Sequence, residues 1–471
     1  MKRRSLGIAV LAATALATTT ACSSSSGSDT NSPAAGGDAK PAAAKAGSAD
    51  PAAVTGLRIF RDGSEDPDCP WAVSYPAVPG ADPLTAAMKA DSESRLGDPL
   101  AEDAGCKAIN ISHDLLVASG DVLGVRLTTL DYQAAGDGTD TRTYWYDGKA
   151  GKARKAATLI SDDSFDDFTD AVKDRLKDQK GIIADRLNSL AEYRDSTLDD
   201  LSFTTDGDLI AEFDRGTVAV PTGGRYQAVI PAEEATPLLS DFGRRAQKQA
   251  TDPSDSLDLG VSAKPLTPPT GALPADSDVD CSQAKCLALT FDDGPGADTA
   301  RLLDILAAND AHATFFVVGQ NAAAHPDLLR AMAKAGHEIG NHSWSHADLT
   351  RLGPTELREQ ISRTNDAVKA ATGKNPTLLR PPYGAVNPAV KAAAGLPIAL
   401  WNYDTEDWKY RDSTKVADSV LNNAKPGDIV LLHDIHPTSV DAVPRILTSL
   451  KEQGYHFVTV SHLRADLKPA A

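Results

Sequence analysis

Two pairs of side chains in the second half of the chain have the types and the spacing of a metal site. Asp292 and Asp293 are adjacent, and the glycine and proline that follow them should end a strand and let both carboxylates face one site. His342 and His346 are four residues apart, which would place both imidazoles on one face of a helical turn. Asp293 with the two histidines makes a three-ligand set that leaves a position for water. A bound divalent ion would lower the pKa of that water from ~15.7 to about 7.

Three further polar clusters supply the remaining parts of a hydrolytic site. Arg380, before a Pro-Pro-Tyr-Gly run, could hold a carboxylate through two hydrogen bonds. Asp407 lies in an acidic loop, and His433 emerges from an apolar run. Each cluster alone could be a turn, a rigid loop or a core histidine. Together the clusters offer a metal site, a base and an acid, as metal-assisted hydrolysis requires. The Asp-His-His set also occurs in iron oxygenases, but the adjacent base and distant acid favour hydrolysis.

These clusters follow predicted strands in the block 281–467. Apolar strands are predicted at Leu287–Phe291, Thr314–Val318, His337–His342, Thr377–Arg380, Ile398–Trp401, Ile429–His433 and His456–Val460. Helical stretches alternate with them at 298–308, Pro326–Lys334 and Glu356–Ala371. This alternation predicts an α/β fold with a parallel sheet. Seven strands could close into a small barrel, whose catalytic groups lie at the carboxyl ends of the strands.

The five polar runs, in this order, resemble the polysaccharide deacetylases of carbohydrate esterase family 4, which share the NodB homology domain. The resemblance covers residues 281–467 and implies a distorted (β/α) barrel that removes N-acetyl groups from a glycan. It implies one divalent ion per chain, with Zn²⁺ expected and Co²⁺, Ni²⁺ or Mn²⁺ as alternatives. It further implies these roles: Asp292 as base, Asp293, His342 and His346 as metal ligands, His433 as acid, Arg380 as a tether for Asp292, Asp407 as a guide for His433, the backbone N–H of Tyr383 as an oxyanion donor, and Trp408 and Leu431 as the lining of the acetyl pocket.

A smaller α+β accessory domain is predicted over residues 55–250, followed by a linker over 251–280. Strands are predicted at Leu57–Phe60, at Val122–Leu130 and at 144–146, with a helix over Phe165–Leu176. Together with a hairpin at 203–209, these features resemble the accessory domain of some secreted peptidoglycan deacetylases and of lysozyme-sensing anti-sigma factors. The resemblance implies that the substrate is the cell wall, with peptidoglycan the expected glycan.

Composition and charge exclude several classes of protein. The 471 residues are 41% hydrophobic and 24% charged, which excludes wholesale disorder and a protein with many membrane spans. The formal net charge of −18 would repel nucleic acid, so no nucleic-acid partner is expected. The expected partner is a glycan, and the chain is expected to be a monomer.

The amino terminus predicts export. Basic residues 2–4 precede a mostly small and apolar stretch, as in a signal peptide over 1–22. Ala21 and Cys22 resemble a bacterial lipobox, although Thr19 stands where that motif prefers leucine. Lipidation of Cys22 would hold the protein on the outer face of the cell membrane, with a flexible tether over 23–54. Ordinary cleavage near the same place, which would release a secreted protein, is the alternative.

Four further cysteines suit an exported protein with two disulfides: Cys69, Cys106, Cys281 and Cys286. Three connectivities are possible, and local pairing, Cys69 with Cys106 and Cys281 with Cys286, is the simplest. A zinc site is the alternative, but the chain has no CxxC motif.

Two competing functions remain open from the sequence. The same fold could deacetylate chitooligosaccharides or O-acetyl-xylan, because substrate loops are not identified by these motifs. The chain could also be a wall-binding or sensor lipoprotein with an inactive catalytic domain, which the intact set of polar residues disfavours.

Overall fold

The computed structural model describes residues 43–97, 106–134, 138–262 and 279–466. The predicted signal peptide and Cys22 lie outside the described residues, as does most of the predicted tether. Within the described ranges, no helix is both long enough and apolar enough to cross a bilayer.

The amino-terminal part begins with a six-stranded sheet whose strands follow sequence order. The strands are β1 (Arg58–Ser64), β2 (Trp71–Ala77), β3 (Ile109–Ser119), β4 (Val122–Asp131), β5 (Thr139–Asp147) and β6 (Lys152–Lys155). Neighbours pair antiparallel, except that β2 and β3 run parallel. A parallel pair needs a crossover connection, and helix α1 (Asp82–Leu96) lies between β2 and β3 in the chain.

A second, three-stranded sheet packs with helices around an aromatic core. Its antiparallel strands are β7 (Leu201–Phe203), β8 (Leu209–Phe213) and β9 (Tyr226–Ile230). The helices of this part are α2 (Phe165–Leu176), α3 (Ala184–Asn188), α4 (Arg194–Thr197), α5 (Ala232–Leu238) and α6 (Asp241–Thr251). Trp145 of β5 is fully buried and meets the rings of Phe203 and Phe242 edge-on, so one core serves both sheets. The predicted helix and the predicted hairpin are both present.

The carboxyl-terminal part is a parallel sheet flanked by helices. Its strand order is β12-β11-β10-β14-β13, with β15 also paired to β10. The strands are β10 (Lys285–Asp292), β11 (Thr314–Val317), β12 (Glu338–Asn341), β13 (Tyr403–Asp404), β14 (Ile429–His433) and β15 (Tyr455–Phe457). The helices are α7 (Thr299–Ala308), α8 (Gly319–Ala324), α9 (Pro326–Lys334), α10 (Pro354–Thr372), α11 (Pro388–Ala393), α12 (Asp407–Tyr410), α13 (Ser413–Asn423), α14 (Pro437–Glu452) and α15 (Val460–Asp466). The predicted α/β class is confirmed.

The sheet is irregular where two predicted strands are reduced to single bridges. Leu379 bridges Asn341 on one side and Ile398 on the other, in place of the strands predicted at 377–380 and 398–401. Prolines at 376, 381, 382 and 397 flank these bridges, and proline has no N–H to continue a ladder. The strand predicted at 456–460 ends at Phe457, because the chain turns into α15 at Val460.

Parts of the predicted tether and linker pack on the amino-terminal sheets. The Gly47 N–H donates to the Phe203 carbonyl at 2.8 Å, and the Ala49 N–H donates to the Leu115 carbonyl at 2.9 Å. Further along, the Gly120 N–H donates to the Ser256 carbonyl at 3.0 Å. Residues 44–54 and the start of the predicted linker therefore belong to the folded part, which corrects both predicted boundaries.

Two disulfides lie in the described residues, and both are local. Cys69 is bonded to Cys106, and Cys281 is bonded to Cys286. The first ties the segment between β1 and β2 to the segment that enters β3. The second closes a short loop at the start of β10.

We predict that Gly340→Ala lowers the free energy of unfolding by ~1–3 kcal/mol, the usual cost of overpacking a core. A methyl group at Gly340 in β12 would overlap the ring of Phe316, which is fully buried. Denaturant unfolding followed by circular dichroism would measure the change. An unfolding curve identical to that of the wild type would contradict this account of the packing.

Candidate active site

The carboxyl ends of two adjacent parallel strands bring the first pair of functional groups together. Asp292 is the last residue of β10, His433 is the last residue of β14, and the two are paired in register. This register places the predicted base beside the predicted acid. Thr290 and Asp292 are two residues apart on β10 and so share a face, and Arg380 donates to both Thr290 Oγ1 and Asp292 Oδ1 at 2.7 Å.

Asp292 is held by a buried ion pair. Its side chain and that of Arg380 are at most 2% exposed, and the guanidinium also donates to the Ala399 carbonyl and lies 4.0 Å from the centre of the Phe316 ring. Burial raises the pKa of Asp292 to about 7, although the charges of Arg380 and His433 oppose this rise. A carboxyl group whose pKa lies near neutrality can both accept and release a proton at physiological pH.

Three ligand atoms converge beside Asp292. Asp293 Oδ1 lies 3.3 Å from His346 Nε2 and 3.8 Å from His342 Nε2, and one ligand atom from each residue lies within 4.8 Å of the others. All three atoms are buried and have no hydrogen-bond partner. Buried polar atoms are almost always satisfied, so these orphaned atoms fit the donor set of a divalent ion.

The other ring nitrogens of the two histidines are occupied, which leaves Nε2 as the ligand atom. His342 Nδ1 lies 2.6 Å from the Arg380 carbonyl, and His346 Nδ1 lies 3.1 Å from the Tyr383 hydroxyl. Burial lowers the pKa of His342 to about 3, so its imidazole is neutral. Burial raises the pKa of Asp293, but Arg61 and the nearby histidines outweigh this and hold it well below its usual range. An ionised carboxylate, as at Asp293, and a neutral imidazole, as at His342, are protonation states that bind a metal.

The histidines converge through an irregular loop, which corrects the predicted helical turn. Ser343 and His346 have φ angles of 65° and 59°, and residues 342–346 contain no helix. Asp293 also has a positive φ, 74°, so the chain turns back sharply after β10. The backbone brings the predicted ligands together through this loop and not through a helical turn.

His433 is oriented by a buried carboxylate. His433 Nδ1 lies 2.8 Å from Asp407 Oδ1, and the His433 backbone N–H donates to Asp407 Oδ2 at 2.8 Å. Burial lowers the pKa of His433, but the charge and hydrogen bond of Asp407 outweigh this and raise it to about 10. His433 Nε2 is buried without a partner. This raised pKa favours the protonated ring, which carries an N–H at Nε2 as well as at Nδ1.

The remaining predicted site residues also lie near this centre or in its core. Tyr383 has a φ of 60°, and its backbone N–H donates to Glu65 Oε2 at 3.2 Å. Leu431 is 1% exposed in β14. Trp408 is half-buried at the start of α12, where its backbone N–H donates to Asp407 Oδ1; its indole N–H is buried without an acceptor.

Sequence reasoning missed two charged residues that the amino-terminal part brings to the site. Arg61 Nη2 of β1 lies 3.2 Å from Asp293 Oδ1, and Glu65 Oε1 lies 3.2 Å from His346 Nε2. No motif marks either residue. Their side chains are only 2% and 6% exposed. The burial of two charged groups beside the cluster marks them as site residues, but this burial exists only where the two parts of the chain pack together.

Comparisons with known proteins match this half of the chain. The family model described as polysaccharide deacetylase matches residues 280–399. The chain is 47% identical over 193 residues to the peptidoglycan-N-acetylmuramic acid deacetylase PdaC of Bacillus subtilis (strain 168), over 41% of each protein. It is 48% identical over 183 residues to the peptidoglycan-N-acetylglucosamine deacetylase PgdA of Listeria monocytogenes serotype 1/2a (strain 10403S), over 39% of each protein. A peptidoglycan-N-acetylglucosamine deacetylase of Bacillus cereus is 40% identical over 190 residues, which are 37% of this chain and 69% of that protein. The match thus spans about two fifths of the first two relatives and more than two thirds of the third.

We predict that His342→Ala and His346→Ala each abolish the binding of a divalent ion. Loss of a direct ligand should exceed the ~10–100-fold loss of affinity that follows changes around the ligands. Zinc titration of the metal-free protein by calorimetry would measure this, with His456→Ala as the control because His456 is exposed. Wild-type affinity in either of the first two variants would contradict the ligand assignment.

Proposed function

This chain belongs to the polysaccharide deacetylase family, and we propose that it is a metal-dependent deacetylase of a cell-wall glycan, with peptidoglycan as the substrate. The observation that supports the proposal is that the proposed base and the proposed acid both lie beside the proposed ligand cluster. Asp292 Oδ2 lies 3.7 Å from His342 Nε2, and a ring nitrogen of His433 lies within 4.8 Å of an Asp293 carboxylate oxygen. The names of the relatives support peptidoglycan as the glycan.

The chemistry begins with a water molecule beside the ligand cluster. A divalent ion held by Asp293, His342 and His346, with Zn²⁺ proposed, would act as a Lewis acid and lower the pKa of that water to about 7. Asp292 is placed to accept the proton of the attacking water. Because Arg380 holds Oδ1, Oδ2 is the oxygen that faces the cluster.

Two further groups act as the acetamide carbon becomes tetrahedral. The Tyr383 backbone N–H can donate to the developing oxyanion, and a fixed donor of this kind is worth several kcal/mol in a dry site (about 2.7–4 kcal/mol). His433 can donate its Nε2 proton to the departing amine as a general acid. Trp408 and Leu431 would line the pocket for the acetyl methyl group. Acetate leaves, and the sugar keeps a free amine.

Export accounts for the remaining features of the chain. The basic and apolar amino terminus and two disulfides suit a protein that works outside the cytoplasm. Cys22 is the proposed lipidation site, and it would hold the enzyme on the outer face of the cell membrane, beside the wall. A glycan is the proposed partner, and the protein is proposed to act as a monomer.

We predict that the full chain releases acetate from purified peptidoglycan and that a chelator stops the release. Asp292→Asn should lower the rate by ~10²–10⁴-fold, because it removes the base, while zinc binding is retained. Asp304→Asn is the matched control, since Asp304 is exposed on α7. Acetate can be measured by a coupled enzymatic assay.

Other outcomes of this experiment would overturn particular parts of the proposal. Full activity in Asp292→Asn would remove Asp292 as the base. Acetate released only from chitin oligomers or acetyl-xylan would change the substrate but retain the chemistry. No release from any of these glycans, with zinc bound, would favour a wall-binding or sensor protein.

We predict that Asp407→Asn moves the alkaline limb of the pH profile of kcat to lower pH by ~1–3 units, the usual effect of an opposite charge in contact. Asp407 raises the pKa of His433 to about 10, so the protonated acid persists in the wild type up to that pH. Without the Asp407 charge, His433 loses its proton at lower pH and the rate falls there. A lower rate with the alkaline limb of the pH profile at its wild-type position would mean that Asp407 has a structural role and does not set the pKa of His433.

A further inference from the structure

The Glu65 carboxylate lies inside the proposed active site, although it belongs to the amino-terminal part. Glu65 directly follows β1, and its side chain is 6% exposed. One oxygen lies 3.2 Å from His346 Nε2, a proposed ligand atom, and the other accepts the Tyr383 backbone N–H at 3.2 Å. A Glu65 oxygen also lies within 4.8 Å of ligand atoms of Asp293 and His433.

These contacts coincide with those that the proposed reaction needs for the acetyl group. The acyl oxygen of a substrate must reach both the ligand cluster and the Tyr383 N–H, and Glu65 presents one oxygen to each. A glutamate side chain ends in the same group as acetate, the product of the proposed reaction. A substrate acetamide and the Glu65 carboxylate therefore cannot occupy this position together.

Burial of the whole centre supports the same conclusion. Asp292 and His433 are 1% exposed and Tyr383 is 6% exposed, yet the proposed substrate is a polymer that must contact all three. Arg61 adds to this closure, because its guanidinium lies beside Asp293 and two of its nitrogens are buried without a hydrogen bond. Its charge also offsets the approach of the Glu65 carboxylate to that of Asp293.

The segment that carries Glu65 is joined to the rest of its sheet. The disulfide between Cys69 and Cys106 links the segment after Glu65 to the start of β3. Across the boundary with the carboxyl-terminal part, Arg411 pairs with Asp62 at 2.7 Å, and the Asp348 N–H donates to the Tyr132 hydroxyl at 2.8 Å. These polar contacts hold the two parts together close to Glu65.

We propose that the accessory domain is an internal inhibitor of the deacetylase, in which Glu65 occupies the acyl-binding position and must withdraw before a glycan can enter. This inference rests on the proposed function, because it identifies the occupied position as the acyl site.

The test uses the full-length, zinc-loaded protein and the variants Glu65→Ala and Glu65→Gln. Acetohydroxamic acid is a small acyl probe, and its affinity can be measured by calorimetry without any turnover. Glu65→Ala should bind this probe at least ~10-fold more tightly than the wild type, because a competing carboxylate tied to the chain is removed. Glu65→Gln keeps the shape but not the charge, so its affinity should be intermediate. Glu93→Gln, at an exposed glutamate of the same domain, should match the wild type.

The rate of acetate release gives the second readout. Glu65→Ala should raise kcat/KM on chitin oligomers or peptidoglycan by at least ~10-fold, since the closed population no longer competes with the substrate. Equal probe affinity in all variants would overturn the proposal. A lower rate together with weaker zinc binding would also overturn it, because Glu65 would then be a working ligand. If no variant releases acetate while Glu65→Ala still binds the probe more tightly, the proposed function fails and the internal occupant stands.

Discussion

Charge that is almost completely removed from water is the constraint on which the rest of this structure depends. Asp292, Asp293, Arg380, Asp407 and His433 are each at most 5% exposed. An unpaired ion in such a place costs several kcal/mol, so each group must have a partner within hydrogen-bond range. The partners come from different strands and loops, and the charges are satisfied only when the ends of those strands meet.

This constraint also explains the backbone around the site. Asp293, His346 and Tyr383 all have φ angles between 59° and 74°, a conformation that costs a residue with a side chain ~1–3 kcal/mol. Polar contacts hold it in place. Asn321 Nδ2 donates to the Asp293 carbonyl at 2.7 Å, and Asn110 Nδ2 donates to the His346 carbonyl at 3.2 Å. These backbone conformations turn the side chains of Asp293 and His346 toward one point. A regular strand or helix would not bring them together in this way.

Elements with a local pattern could be predicted from the sequence, and contacts made by docking could not. Phe165–Leu176 and Ile429–His433 appear with the predicted bounds, because helical spacing and an apolar run are properties of neighbouring residues. The proposed ligand set follows from residue types and spacing, but the positive φ angles that bring its members together could not be predicted. Glu65 lies 318 residues before Tyr383, to which it is hydrogen-bonded, and no periodicity relates the two.

The amino-terminal part both supports the loop that carries His346 and blocks the proposed acyl position beside it. Asn110 of β3 holds the backbone of His346, whereas Glu65 faces the ring of the same histidine. If Glu65 withdraws by opening of this boundary, the proposed acyl position is released, but the loop that carries the proposed ligand His346 also loses its hydrogen bond from Asn110. A glycan can shift this equilibrium only through a difference in its affinity for the open and the closed states. Because Glu65 excludes the acetyl group from the closed state, binding at the proposed catalytic site would itself supply that difference.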